Sequence, residues 1–432
     1  MDDSLRAWVE ATTGGRIVSA ARATRGGSRE LQFVDVLHAD SHTDSLVLRS
    51  EAGGSFTGTE ISPAKEAVVY RALEPTDVPV PHVVALAPDH SALLMERVPG
   101  TSDMSTLDSD ERDEVMRSFV DALAALHNLD VDTLALSGFA RPRTPEDHAR
   151  LDLAVWARLA DTKVRDLDPL VRYSGAWLRA NAPASVSRTV LVQGDTGPGN
   201  FLFDDTRVTG VVDWEFAHIG DPMDDWAWLD MRTGGSDLTD LHERYRAATG
   251  IAINGDRIRY YRAAVDYRCA VTTSLAVSRG GGARGFAPYL LVTQRYIIDL
   301  AARMSELIGV TDSPEVPDLE ATPRTPYFDT LLDGIRTAVR ELDEPELRET
   351  TRNLQILLHF LRAYDMVGHE IAVRDHADRI ETFGSEALDE ERFRVITEDA
   401  GTTGDETTWR YLLRRAARNQ ALWASLLERP RR

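Results

Sequence analysis

LVQGDTGPGNFLF, residues 191–203, sets an acid, Asp195, and an amide, Asn200, between two apolar runs and punctuates the interval with Gly194, Gly197, Pro198 and Gly199. The flanking runs read as short strands, and the stretch between them is a loop. Further on, the apolar run VTGVV leads to Asp213 and Glu215, the first of them thirteen positions beyond Asn200. A hairpin here folds Asp213 back toward the loop. Two carboxylates and an amide oxygen then converge, and hard oxygen donors of this kind take magnesium while leaving positions for water and phosphate. A carboxylate not committed to metal can orient a hydroxyl and accept its proton in phosphoryl transfer. The bland alternative is a surface turn in which Asp195 and Asn200 satisfy only their own backbone. Joined to Asp213, Glu215 and the Gly-Asp-Pro at 220–222, the pattern favours a site.

The whole chain sets bounds on that chemistry. Its 432 residues are 28% charged and 43% hydrophobic, enough for two or three globular domains. A formal charge of −21 opposes a nucleic-acid backbone or an anionic membrane surface as the main partner. No run approaches the apolar length of a membrane span, and the acidic start MDDSLRAWVE is unlike a signal peptide, so a cytoplasmic location is expected. The one cysteine, Cys269, sits in a helix-like apolar stretch and is expected to be a buried structural thiol. Eleven histidines are scattered without an HExxH pair, which argues against a zinc site built from the protein.

Periodicity divides the chain. LQFVDVLHA and TDSLVLRS read as a hairpin, SPAKEAVVYRAL as a helix capped by Ser62, and PHVVALAPDHSALLMERVPG as two further strands closed by Pro99-Gly100. From about residue 110 the pattern turns helical: Val115, Phe119, Leu123 and Leu126 form one stripe. The expected lobes are 1–97, β-rich, and 98–311, helical with one hairpin. Residues 312–326, rich in proline, read as a linker, and 327–432 as an all-helical C-terminal domain able to bury its own faces. A chain ending near Asp312 is therefore expected to fold, and the C-terminal helices to serve a partner or self-association.

QGDTGPGN, then VVDWE, then IGDPMDDWAWL, in this order, resemble the aminoglycoside phosphotransferase and choline kinase family, and within it the proteins related to the kinase-like domain of certain acyl-CoA dehydrogenases. The resemblance covers roughly residues 15–310 and implies an α+β, two-lobed, protein-kinase-like fold. Carried over residue by residue, it implies Asp195 as the catalytic base and Asn200 and Asp213 as magnesium ligands, with Glu215 as a further carboxylate. Asp221 and Asp225 would be structural. The family usually has His where this chain has Gln193, a change that bears on loop rigidity. TRGGSRE is similar to the family's short glycine loop, with Gly26, Gly27 and Ser28 facing phosphate. Arg49 stands where many kinases have a lysine and can pair with Glu66. Met95, Glu96 and Val98 resemble the hinge that holds adenine. His127 and the tryptophans at 214, 226 and 228 are expected to pack rather than to react.

The implied activity is an ATP- and Mg2+-dependent phosphotransferase, GTP not being excluded, acting on a hydroxyl of a small molecule. A hydroxyacyl compound or another lipid-like alcohol is the expected acceptor, with an aminoglycoside as the alternative. A rival reading is a regulatory or scaffolding protein that binds nucleotide without turnover. Arg279 and Arg284, in RGGGARG, are expected in a flexible loop that offers a basic patch to an anionic carrier.

Overall fold

The protein is described here by a computed structural model covering residues 1–22, 30–51, 56, 59–89, 91–280, 282–312, 316–384 and 389–427. It is α+β: an antiparallel sheet lobe, a helical lobe and further C-terminal helices. Contacts divide the chain into one unit of residues 1–152 and 183–261 and a second of 153–182 and 262–432. These divisions fall elsewhere than the lobe boundary at 97/98 and the linker at 312–326 read from the sequence. The sheet lobe and the core of the helical lobe share one unit, and the C-terminal helices share the other with the helices Pro169–Ala180 and Gly282–Ile308.

In the first unit, α1 (Asp3–Thr13) is capped by Asp2 and stopped by Gly14 in the left-handed conformation. Strands β1 (Arg16–Arg22), β2 (Glu30–Leu37), β3 (Thr43–Ser50), β4 (Val83–Leu86) and β5 (Ala92–Glu96) form a sheet of order β1-β2-β3-β5-β4. Alternation in β2 and β3 sends Val34, Val36, Leu46 and Leu48 into one core with Val9 and Leu94. Arg49 lies on the opposite face of β3, opposite Leu31 and Leu93, in the middle of the sheet. Helix α2 (Pro63–Leu73) carries Glu66, fully buried, toward that face.

Helix α3 (Ser109–Asn128) starts with a capping box of Asp108 and Glu111 and buries Val115, Phe119, Leu123 and Leu126, the stripe read from the sequence. Strand β6 (Val190–Val192) pairs with β9 (His218–Gly220), and β7 (Phe201–Asp204) with β8 (Arg207–Val211). The β7–β8 hairpin docks on the hinge. Thr101 and Phe203 exchange backbone hydrogen bonds of 2.9 Å, and Thr209 Oγ1 donates to Pro99 O at 2.7 Å. Helices α6 (Pro222–Arg232) and α7 (Thr239–Thr249) follow, while α4 (Asp147–Lys163) and α8 (Gly255–Arg279) each begin in this unit.

The second unit holds α5 (Pro169–Ala180), α9 (Gly282–Ile308), α10 (Thr325–Glu341), α11 (Pro345–Phe383), α12 (Glu390–Thr403), α13 (Glu406–Ala421) and α14 (Ala424–Leu427). The chain turns at Gly280 and enters α9 at Gly282, so Arg284 belongs to a helix and not to the flexible loop expected of RGGGARG; its side chain lies outside the described residues. Helix α12 packs on α5 so closely that a Cβ at Gly401 would lie 2.4 Å from Tyr173 O. The Tyr173 ring lies 5.2 Å from that of Trp409, and Arg415 bonds Asp168 at 2.9 Å. Both described ends of the stretch expected to be a linker are bonded as well: Arg414 Nη1 donates to Asp312 Oδ2 at 3.4 Å, and Arg324 lies 3.0 Å from Asp365. The apolar faces of α12 and α13 therefore close against helices of the preceding segment instead of only against each other.

Truncation after Asp312 is expected to expose Tyr173 and Ala176, with loss of the near-UV circular dichroism of the intact protein. Gly401→Val should lower unfolding free energy by about 1–3 kcal/mol through overpacking, measured by urea titration.

Candidate active site

The loop at residues 193–200 hangs between β6 and β7, and one buried carboxylate holds it. Asp225, in the first turn of α6, accepts the N–H groups of Gln193 and Gly194, each at 3.0 Å, and the Thr196 hydroxyl. His127 Nε2 lies 2.9 Å from the same carboxylate, and its Nδ1 lies 2.6 Å from the Tyr245 hydroxyl. Burial holds that phenol in its protonated form. All members are buried, so each polar group depends on the others. Asp221 caps α6 through Met223 N and pairs with Arg257 at 3.0 Å. Burial pushes its carboxyl up to about 6 against the pull of both partners. One aspartate thus caps the helix and the other orders the loop, and His127 joins the network as packing. The tryptophans at 214, 226 and 228 are buried.

Gln193 joins this loop to the next. Its Nε2 donates to Val212 O at 3.0 Å and Asp213 O at 3.1 Å, while its Oε1 accepts from Asp195 N at 3.2 Å. A neutral imidazole has one donor and one acceptor; an amide supplies two donors and an acceptor, and all are used. The β7–β8 hairpin adds Val212 N to Asn200 O at 2.9 Å. Asp213 sits at φ 64°, a conformation that an aspartate tolerates better than most side chains.

Asp195 faces Arg232, a residue that no sequence motif marked. The Nε and Nη2 groups of Arg232 both reach Asp195 Oδ1, the former at 3.2 Å, and Nη1 donates to Pro198 O at 3.1 Å. Gly197, at φ +133°, leaves the slot in which this side chain lies: a Cβ there would sit 2.9 Å from Arg232 Cδ. The glycine thus serves the packing of an arginine as well as the turn, a signal legible only once the end of α6 is known to pass over the loop. Asn200 Nδ2 donates to Asp195 O at 2.7 Å and to Oδ2 at 2.6 Å. Burial pushes the Asp195 carboxyl up to about 6, and the guanidinium of Arg232 pulls the other way.

Opposite this loop, Arg49 collects three carboxylates. Its Nε lies 2.9 Å from Glu66, and its Nη2 lies 2.5 Å from Asp213 Oδ1 and 3.1 Å from Glu215 Oε2. Burial acts against its charge, but Asp213, Glu66 and Glu215 more than offset that and hold it cationic. The pair of Arg49 with Glu66 is present as read from the sequence; its engagement with Asp213 and Glu215 was not foreseen. At the hinge, Met95 is buried in β5 and Glu96 N is already bonded to His82 O at 2.9 Å. Among the described residues Val98 N has no carbonyl partner, so of the two it is the donor left for a ligand. Gly26, Gly27 and Ser28 lie outside the described residues.

These features define a kinase-like protein whose loops bring an acid-bearing turn beside a carboxylate pair. The chain belongs to the phosphotransferase enzyme family, whose model matches residues 30–261. Acyl-CoA dehydrogenase family member 11 of Rattus norvegicus is 28% identical over 200 residues, 44% of this chain and 25% of that protein. Protein YcbJ of Bacillus subtilis (strain 168) is 31% identical over 147 residues, 32% of this chain and 44% of its own. The chain thus spans less than half of either relative. A crystal structure of a candidate aminoglycoside phosphotransferase from Ralstonia eutropha JMP134 superposes with a TM-score of 0.53 at 21% identity, over 72% of this chain and 99% of the other, and shares the fold. No helix among the described residues is long and apolar enough to cross a membrane.

Asp225→Ala strips partners from two backbone N–H groups, a hydroxyl and an imidazole at once. It is expected to cost about 3–5 kcal/mol of stability, read by chemical denaturation.

Proposed function

We propose that the chain is an ATP- and Mg2+-dependent phosphotransferase that phosphorylates a hydroxyl of a small molecule, with Asp195 as the base. The observation that carries this reading is the stitching of the Asp195 loop to Asp213 by Gln193, with Arg49 drawn onto Asp213 and Glu215. An acceptor-side carboxylate and a phosphate-side charge cluster are thereby held at one spacing, the arrangement that phosphoryl transfer requires.

The residues fit a divalent cation. Arg49 draws the carboxylates of Glu66, Asp213 and Glu215 together, and hard oxygen donors gathered in this way suit a divalent cation. Because Asn200 turns its Nδ2 to Asp195, its Oδ1 is left for another partner. Among the described residues no three carboxylate, imidazole or thiol groups form a ready-made metal cluster. The set is Asp213 and Asn200 with Glu215 beside them, completed by water and phosphate oxygens, as magnesium prefers. Held by Asp213 and Asn200, magnesium would supply charge neutralisation to the transferring phosphates.

Arg49 is placed to clamp phosphate oxygens from the sheet side, kept in orientation by Glu66. Val98 N offers a hydrogen bond to the base edge, and Met95 an apolar wall. Asp195 orients the acceptor hydroxyl and takes its proton as the oxygen bonds to the γ-phosphorus and the bond to the leaving nucleoside diphosphate breaks. Arg232 favours the ionised form of this base despite burial. For the acceptor, a hydroxyacyl compound or another lipid-like alcohol is favoured over a polycation, because the fixed guanidinium of Arg232 beside Asp195 repels amines brought to that spot.

Asp195→Asn is expected to lower phosphoryl transfer about 10²- to 10⁴-fold, with Mg-ATP affinity changed only a few-fold. Asp213→Ala should instead abolish the magnesium dependence of nucleotide binding in calorimetry. Unchanged Mg-ATP binding in that variant would remove Asp213 from the metal set.

Because the base acts as carboxylate and its carboxyl lies at about 6, kcat should be full above that value and decline as pH falls through it. A rate independent of pH between 5 and 8 would contradict the role. Across a panel of alcohols, hydroxyacyl compounds are expected to turn over faster than kanamycin-type aminoglycosides; the reverse order would overturn the acceptor class and leave the phosphotransferase reading standing.

A further inference from the structure

The second unit contains a cavity of about 790 Å3 that plays no part in the site described above. The turn between α4 and α5, the end of α8, the first half of α9 and parts of α11, α12 and α13 line it. Its size is that of sites for small organic ligands. It exists because the C-terminal helices close over α5 and α9.

The wall has two chemistries. Val277, Phe286, Leu290 and Ile297, from α8 and α9, give an apolar side. The other side carries Arg165, Arg172, Arg379, Arg394 and Arg415. Among the described residues all but Arg165 are paired, and in three of the pairs the arginine is the less exposed partner. The Arg172 side chain is 12% exposed, and its partner Asp161, which is not part of the lining, is 42% exposed. Arg379 is 21% exposed and its partner Glu390, at 3.8 Å, is 90% exposed. Arg394 and Glu391 repeat the pattern at 36% and 73%. Glu390 and Glu391 belong to the lining as well, but their side chains are more exposed than those of the arginines they pair with, so screening weakens the hold of these carboxylates.

The two deeper acids are already committed. Asp168 is bonded to Arg415 and caps α5, and Asp375 accepts from Arg418 and the Tyr411 hydroxyl. Arg379 is fixed in place by stacking over the Phe393 ring, 4.3 Å from its centroid. Arg165, at the rim, makes no ion pair among the described residues. An apolar wall and an arginine-rich wall in one cavity match a ligand with a hydrocarbon body and an acidic head.

We propose that this cavity is a binding site for an amphiphilic organic anion, with a carboxylate or phosphate head toward Arg379, Arg172 and Arg165 and an apolar body against Val277, Phe286, Leu290 and Ile297. The site is separate from phosphoryl transfer and gives the C-terminal helices a ligand of their own. A ligand that binds only the folded unit would stabilise it by mass action.

The test uses the full-length protein without nucleotide and four probes: decanoate, decyl phosphate, decylammonium and inorganic phosphate, the three amphiphiles below their micelle concentrations. Titration calorimetry and thermal unfolding should show saturable binding of one equivalent and a raised Tm for one or both anionic amphiphiles, and neither for decylammonium or inorganic phosphate. Comparison of decanoate with decyl phosphate identifies the head group. Arg379→Met, which keeps the aliphatic packing and removes the charge, should weaken that binding by about tenfold or more, and Arg165→Met, at the exposed rim, by a few-fold. Equal binding of decylammonium and decanoate would overturn the proposal. So would the absence of saturable binding by both anions, or wild-type affinity in both variants. The wild-type panel decides the charge class even if Arg379→Met fails to fold.

Discussion

A single buried carboxylate, that of Asp225, organises the loop on which the candidate chemistry depends. Glycine-rich backbone has the most conformational freedom to lose on ordering, so a loop such as Gly194–Gly199 keeps one shape only if something else holds it. Asp225 does so from a helix, a rigid element, by accepting two consecutive N–H groups, a hydroxyl and an imidazole contact. The helix is in turn capped by Asp221 and tied to Arg257. The position of Asp195 is thus inherited from the start of α6, thirty residues further along the chain.

Around that anchor the charges are arranged in two groups of different balance. Asp195 and Arg232 form a matched pair, which limits how strongly burial can drive the carboxylate toward its neutral form. Arg49, by contrast, is shared among three carboxylates, those of Glu66, Asp213 and Glu215. The difference distinguishes the two halves of the candidate site. Gln193 joins the two mechanically without adding charge to either.

The C-terminal helices show how amphipathic patterning alone can mislead. The stripes on α10, α11 and α13 are real, and an apolar face must be covered, but periodicity does not say by what. Proline-rich residues 312–326 suggested an independent domain. Instead, Gly401 brings α12 against Tyr173 of α5, and Arg415 reaches back to Asp168. Both contacts join segments more than two hundred residues apart, a distance over which local sequence carries no register.

Strand alternation, the Ser62 cap, the α3 stripe and the order of QGDTGPGN, VVDWE and IGDPMDDWAWL were legible in the sequence, because each depends on neighbours within a turn or a strand or on the order of short motifs. From these came the α+β kinase-like fold and the candidate residues Asp195, Asn200, Asp213, Glu215, Arg49 and Glu66. The tertiary structure alone decided that Arg232 lies on Asp195, that Arg49 gathers Asp213 and Glu215 as well as Glu66, and that five arginines line a cavity under the C-terminal helices. Each of these is a long-range meeting of charged side chains. An arginine looks the same in sequence whether it faces water or a buried carboxylate, and only the packing of distant elements determines which.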